Sequence, residues 1–124
     1  MYKGFILSES LKNPIILNDF EIVKVIVEHH QEHKGEPKIW HDFKVKINEK
    51  EIINVCNKLA KEIKNEWYAH FWNKKSVYIV LSNKVFKIPR EDNNWQSPLY
   101  QEFKKYAIKH GIEQRYIRNF LIED

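Results

Sequence analysis

The feature that most constrains the fold is a pair of segments, 20–28 and 39–47, in which apolar and polar side chains alternate. This period of two is typical of β-strands with one buried face. The first segment is rich in valine and isoleucine, which predicts a strand buried on one side and partly on the other. The polar segment between them contains Gly35 and Pro37, which favour a loop. The sequence therefore predicts a long β-hairpin.

Further strands are predicted at 2–7, 66–72, 77–81 and 85–88, with Gly4 as a bulge or a point of close backbone approach. A helix is predicted over 49–63, with Asn48 and Glu51 as a capping box. Its apolar stripe consists of Ile52, Cys56, Leu59, Ala60 and Ile63.

Ser97 and Pro98 predict the start of a second helix, and Gly111 predicts its end. The buried face of this helix is predicted to contain Leu99, Phe103, Tyr106 and Ala107. The element order is then β-β-β-α-β-β-β-α. We expect an α+β fold in one domain, residues 1–124, with a mostly antiparallel sheet and two helices packed on one face.

The composition of the chain indicates its cellular compartment and the class of its ligand. The single cysteine, Cys56, fits a reducing compartment, and neither a signal peptide nor an apolar run of about 20 residues is present. We therefore expect a cytoplasmic protein without a membrane anchor. The net charge of +4 is spread along the chain rather than concentrated in a stripe, which favours a protein or small-molecule ligand over nucleic acid. The chain lacks a glycine-rich phosphate loop or dinucleotide motif, so no cofactor is expected.

The segment 67–72, Trp-Tyr-Ala-His-Phe-Trp, is the most unusual part of the sequence. On a strand, its side chains divide between two faces. We assign Trp67, Ala69 and Phe71 to the helix-covered core, because compact Ala69 lets a helix approach closely. The opposite face would present its residues to a ligand, and these are Tyr68, His70 and Trp72.

Three functions are compatible with this face, besides simple cross-strand packing of the aromatic rings. The first is a non-catalytic binding or regulatory module that uses Tyr68, His70 and Trp72, with Glu9 nearby. The second is a small hydrolase-like enzyme with His70 as the acid/base and Glu9 as its carboxylate partner. The third is a single-strand nucleic-acid binder that adds the lysines Lys74, Lys75 and Lys84.

Histidines cluster around the predicted hairpin loop, and four of them are candidate metal ligands: His29, His30, His33 and His41. Imidazole suits zinc, and carboxylates such as Asp42 lie close by in sequence. No cysteine pair or H-E-x-x-H helix accompanies them. We therefore predict solvated histidines and no tightly bound metal.

Four stretches resemble a family of short prokaryotic proteins without an established activity: 2–11, 67–72, 84–87 and 109–112. The resemblance covers nearly the whole chain and implies no catalytic residues. The chain departs from the family at Glu113, where proline is usual, and in its loop over 29–37. The histidines therefore lie in a segment particular to this chain.

Overall fold

The strands and helices follow the predicted order in the structure, a computed structural model that describes residues 1–90 and 97–117. The elements are β1 (Tyr2–Leu7), β2 (Glu21–His29), β3 (Ile39–Ile47), α1 (Ile52–Glu62), β4 (Ala69–Trp72), β5 (Ser76–Leu81), β6 (Lys84–Pro89) and α2 (Pro98–Lys109). Short 3-10 turns cover Ser8–Ser10, Pro14–Asp19 and Gln114–Tyr116. Within the described residues, no helix is long and apolar enough to cross a membrane.

The described strands form a six-stranded sheet in the order β2-β3-β1-β4-β5-β6, and every neighbouring pair is antiparallel. This confirms the predicted α+β class with an antiparallel sheet. The N-terminal strand β1 lies in the middle, so it joins the β2–β3 hairpin to the β4–β5–β6 meander. Gly4 is opposite Val45 on one side and Phe71 on the other.

Close packing explains the glycine in β1. A Cβ atom added to Gly4 would lie 2.1 Å from Cδ1 of Phe71 and 2.7 Å from the carbonyl oxygen of His70. Neither distance is compatible with van der Waals contact. The predicted close approach at Gly4 is therefore confirmed.

The two helices lie on opposite faces of the sheet, so the prediction of one shared face is wrong. The stripe of α1, which includes Cys56 and Leu59, packs in one core with Phe71. The α2 residue Phe103 packs in a separate core with Trp72. Because adjacent residues of a strand point to opposite faces, the two cores are on opposite sides. The continuous apolar run of β5 was the sequence signal for helices on both faces. This strand is buried at all six positions, as expected for a strand covered on both faces.

The hairpin strand β2 is at the edge of the sheet and is more exposed than predicted. Val23, Val25 and Val27 are each about half exposed, and Ile22 is similar. Neither α1 nor α2 extends over this strand, because both pack against β6 at the other end of the sheet. The prediction that 20–28 is buried on one side is therefore wrong.

The helix ends agree with the prediction at α2 and differ at α1. The Ser97 hydroxyl accepts a hydrogen bond from the backbone N–H of Tyr100 at 3.2 Å, and Gly111 has a φ of +90° after the helix end. In contrast, α1 begins at Ile52 after Glu51, whose side chain makes no capping hydrogen bond. The Asn48 side chain instead accepts from the N–H two residues later and forms the turn before the helix. The predicted capping box is therefore wrong.

The buried face of α2 contains Tyr100 where the prediction had Leu99. Phe103 and Ala107 are fully buried as expected, but Leu99 is exposed and Tyr100 is buried in its place. The Tyr100 hydroxyl donates to the backbone oxygen of Ile117 at 2.5 Å, which ties the chain after α2 to the helix. A buried tyrosine needs such a partner for its hydroxyl.

Candidate functional site

A cleft of about 270 Å³ opens on the sheet face that carries α2. Because α2 packs towards β6, it leaves β1 and β3 on this face to be covered by other segments. The loop between β2 and β3 forms one wall, and the chain from Gly111 to Tyr116 forms another. Side chains of Phe5, Asp42 and His70 from the sheet line the same cleft.

Aromatic rings form the wall of the cleft. The rings of Trp40 and Trp67 meet edge to face with centroids 4.9 Å apart, and Tyr116 lies 5.2 Å from Trp40. His30 stacks on Trp40 at 3.6 Å. The Trp40 indole donates to the carbonyl oxygen of Pro37 at 2.8 Å, which fixes its ring. These flat surfaces suit a planar or apolar ligand.

Two histidines of the loop are held by carboxylates. His30 is 2.7 Å from Glu28 through Nε2 and 3.1 Å from Glu32 through Nδ1. His33 Nδ1 is 2.8 Å from Glu113, which follows α2. The His33–Glu113 contact therefore joins the two segments that face each other across the cleft.

The four metal-ligand candidates do not converge. His29 is exposed, His30 and His33 line the cleft, and His41 is bound by Glu9. Among the described residues, no group of three or more histidine, cysteine, aspartate or glutamate side chains has an arrangement that could hold a metal ion. The absence of a bound metal stays a prediction, for which elemental analysis is the test.

Asp42 is the most perturbed ionisable group in the cleft. Burial, together with the charge of Glu28 and a hydrogen bond to it, raises the pKa of Asp42 from its ordinary value near 3.8 to about 8. The more distant charge of Glu9 adds to this effect. At neutral pH Asp42 therefore holds a proton, because a second negative charge beside Glu28 is unfavourable at close range.

Two buried polar atoms in the cleft have no hydrogen-bond partner among the described residues. They are Oδ1 of Asp42 and the hydroxyl of Tyr116. Buried polar atoms of native proteins are nearly always hydrogen-bonded, so both call for a partner. A third such atom, Nε1 of Trp72, lies beneath His70, whose ring is stacked on Trp72 at 5.4 Å.

The structure separates the predicted site residues. Tyr68 and His70 line the cleft, and burial raises the pKa of the Tyr68 hydroxyl, which donates to the backbone oxygen of Tyr116. Trp72 is only 1% exposed and lies in the α2-side core. Trp67 was assigned to the core, but it is half-buried and forms part of the cleft wall, so that assignment is wrong. Ala69 and Phe71 are buried in the α1-side core as predicted.

Glu9 lies outside the cleft and is engaged by His41. Its two carboxylate oxygens accept hydrogen bonds from the backbone N–H of His41 at 2.6 Å and from Nδ1 at 2.7 Å. Burial opposes ionisation of Glu9, but these hydrogen bonds outweigh it and lower its pKa. Lys74, Lys75 and Lys84 are not among the residues that line the cleft.

The sequence analysis missed several cleft residues. Trp40 and Asp42 alternate with the inward-facing positions of β3, so they could have been placed together on its other face. Glu113 and Tyr116 follow α2 in a segment without periodicity, which gave no signal. Asp42 was noted only as a carboxylate near the histidines in sequence.

Comparison of the chain with protein-family models, with curated proteins and with solved structures finds no match. The family resemblance described above implies no activity and transfers no site residue. The chemistry of the cleft is therefore derived from its own side chains.

Proposed function

We propose that this protein binds a small organic ligand in the cleft, as a single-domain binding or regulatory module. The observation that supports this most strongly is the pair of buried, unpartnered polar atoms on Asp42 and Tyr116 within an aromatic wall. A partly enclosed apolar cleft with a few polar groups and a perturbed carboxyl is the usual form of a small-molecule site. A ligand that hydrogen-bonds to both atoms would remove the cost of leaving them unpaired.

The charge of the cleft argues against nucleic acid. Among the described residues, its lining includes the carboxyl groups of Glu28, Asp42, Glu66 and Glu113, and its one lysine or arginine is Arg115, which is paired with Glu113. Phosphate groups would be repelled by this surface, since phosphate binding depends on lysine and arginine. A small molecule therefore fits better than a nucleic-acid strand.

An acid–base enzyme is a second candidate, which the Asp42–Glu28 pair favours. A carboxyl group with a pKa near the working pH can both give and take a proton. His70 lies in the same cleft, whereas Glu9 is engaged by His41. In this form of the enzyme hypothesis, Asp42 rather than Glu9 is the carboxyl partner.

The buried thiol of Cys56 supports a cytoplasmic location, which we propose together with the binding function. Burial raises the pKa of this thiol to about 12, so it stays protonated and unreactive. A protein with one such thiol suits a reducing compartment.

A fragment library, with binding detected by ligand-observed NMR, tests the binding function. Fragments should bind the wild type, and Tyr116→Phe should weaken the hits by about 5- to 15-fold because one ligand hydrogen bond is lost. Tyr106→Phe is the matched control, because the Tyr106 hydroxyl bonds to the Ser82 oxygen at 2.8 Å outside the cleft. An absence of hits, or equal weakening by both variants, would contradict the proposal. Fragment turnover that Asp42→Asn abolishes would favour the enzyme.

A further inference from the structure

We propose, resting on the binding function above, that the ligand carries a protonated nitrogen. An amine, amidine or guanidine group would bind at Asp42 and Glu28, and the apolar or planar body of the ligand would lie against Trp40, Trp67 and Tyr116. The cation would take the place of the proton on Asp42.

The fixed charges of the lining favour a cation. Four carboxyl groups face the cleft, whereas Arg115 is the sole lysine or arginine in its described lining. Arg115 is itself paired with Glu113 at 3.2 Å. Since His33 also bonds to Glu113, that carboxylate is already engaged at the rim. Glu28 is contacted by His30 at 2.7 Å, whereas Oδ1 of Asp42 has no partner among the described residues, so a ligand cation is directed to Asp42 beside Glu28.

The aromatic wall adds a second attraction for a cation. Ring faces are negative, and a cation within about 6 Å of a ring centre is stabilised, most strongly over tryptophan. Trp40, Trp67 and Tyr116 bring three rings to one wall. One face of Trp40 is stacked on His30, and the Arg115 guanidinium lies 5.9 Å from the centre of the Tyr116 ring, which shows that this wall already accepts a cation. An aromatic wall beside a carboxyl pair is an arrangement that suits ammonium and amidinium groups better than neutral or anionic ones.

Exchange of a proton for the ligand follows from the carboxyl pair. The unpartnered Oδ1 atom of Asp42 can accept a hydrogen bond from the ligand, and the added positive charge favours ionisation of both carboxyl groups. Binding should therefore release about one proton at neutral pH and none above about pH 9. The titratable and charged groups around the Asp42–Glu28 pair are Glu9, His30, His33, Lys44, Glu66, Tyr68, His70, Glu113, Arg115 and Tyr116.

Matched probes that differ in charge but hardly in shape provide the test. Benzamidinium and benzamide form one pair, and phenethylammonium and 2-phenylethanol form another. Calorimetry at about pH 6 and about pH 9, in buffers of different ionisation enthalpy, gives the affinity and the number of protons released. We expect the cationic member of at least one pair to bind about tenfold or more tightly than its neutral partner, a difference of about 1.4 kcal/mol.

Variants separate this inference from the binding function itself. Asp42→Asn should remove both the preference for the cation and the proton release, whereas Tyr106→Phe should retain both. Neutral probes that bind as tightly as cations, or a cation preference that survives in Asp42→Asn, would overturn the inference and leave the binding function standing. If no probe of either kind binds, and the fragment library also gives no hits, both proposals fail.

Discussion

Replacement of Asp42 by asparagine should change how the stability of the protein depends on pH. In the folded protein Asp42 is buried against Glu28, and its pKa is raised from 3.8 to about 8. Between these two values the folded chain holds a proton that the unfolded chain has released. Unfolding is therefore favoured as the pH rises through this window, and the free energy of unfolding falls. The amide of asparagine can donate to Glu28 as the protonated carboxyl does, but it cannot ionise.

The magnitude follows from the linkage of one proton. The slope is about 1.4 kcal/mol per pH unit, so the wild type should lose about 3 kcal/mol relative to Asp42→Asn between pH 5 and pH 7. The difference in unfolding free energy between the wild type and Asp42→Asn should become constant above about pH 8, because Asp42 is then ionised in both the folded and the unfolded chain. Because the charge of Glu28 and its hydrogen bond help to raise the pKa of Asp42, Glu28→Gln should flatten the pH dependence in the same direction.

Urea denaturation followed by far-ultraviolet circular dichroism, repeated along the pH series, measures this difference. Asp19→Asn is the control, because the Asp19 side chain is 66% exposed and forms only a surface ion pair with Lys58. The free energy of unfolding of Asp19→Asn should vary with pH as that of the wild type does. The unfolding free energy of Asp42→Asn could instead vary with pH as that of the wild type does, from about pH 5 to about pH 8. Asp42 would then not hold a proton in the folded state, and our account of the carboxyl pair would be refuted.

Other variants test the packing and the cleft. Gly4→Ala should destabilise the protein by about 3 kcal/mol or more in thermal denaturation, because its Cβ would overlap Phe71. Gly35→Ala should have little effect, because its Cβ would make only an ordinary contact of 3.5 Å with His33. Phe71→Ala should cost about 3–5 kcal/mol of unfolding free energy, and clearly more than Trp67→Ala in the cleft wall; the reverse order would mean that the core is misassigned. Ser97→Ala should cost about 1 kcal/mol through loss of the α2 cap, and an unchanged urea midpoint would contradict that role. Elemental analysis of untagged protein should find only substoichiometric zinc, nickel or copper, and a stoichiometric metal would overturn our interpretation of the histidines.

Local periodicity was enough to predict the element order, because each strand and helix carries its own alternation or apolar stripe. The α2 cap and the close approach at Gly4 were also predictable, since each depends on one residue type at one position. The helix faces were not predicted correctly, although the continuous apolar run of β5 already indicated burial on both sides. Exposure of β2 depends on its place at the sheet edge, which alternation within the strand does not determine.

The candidate site was only partly accessible from sequence because its residues come from distant segments. The segment 67–72 led to Tyr68 and His70, which alternate along the chain and both line the cleft. The approach of Asp42 to Glu28 depends on the register of β2 against β3, in which Asp42 is opposite Ile26. The approach of the 111–116 segment depends on the reversal at Gly111 and on hydrogen bonds formed only in the folded protein.

The wall after α2 has a kinetic consequence for any molecule bound in the cleft. Residues 112–117 contain a single 3-10 turn. Two tyrosine hydroxyls donate hydrogen bonds to backbone oxygens of this segment, Tyr68 to that of Tyr116 and Tyr100 to that of Ile117. Opening of this segment would expose Ile112 and Ile117, which are 5% and 0% exposed, so it should cost more free energy than fraying of an exposed loop. The residence time of a bound molecule would then depend on this opening, and amide hydrogen exchange in 112–117 would slow when the cleft is filled.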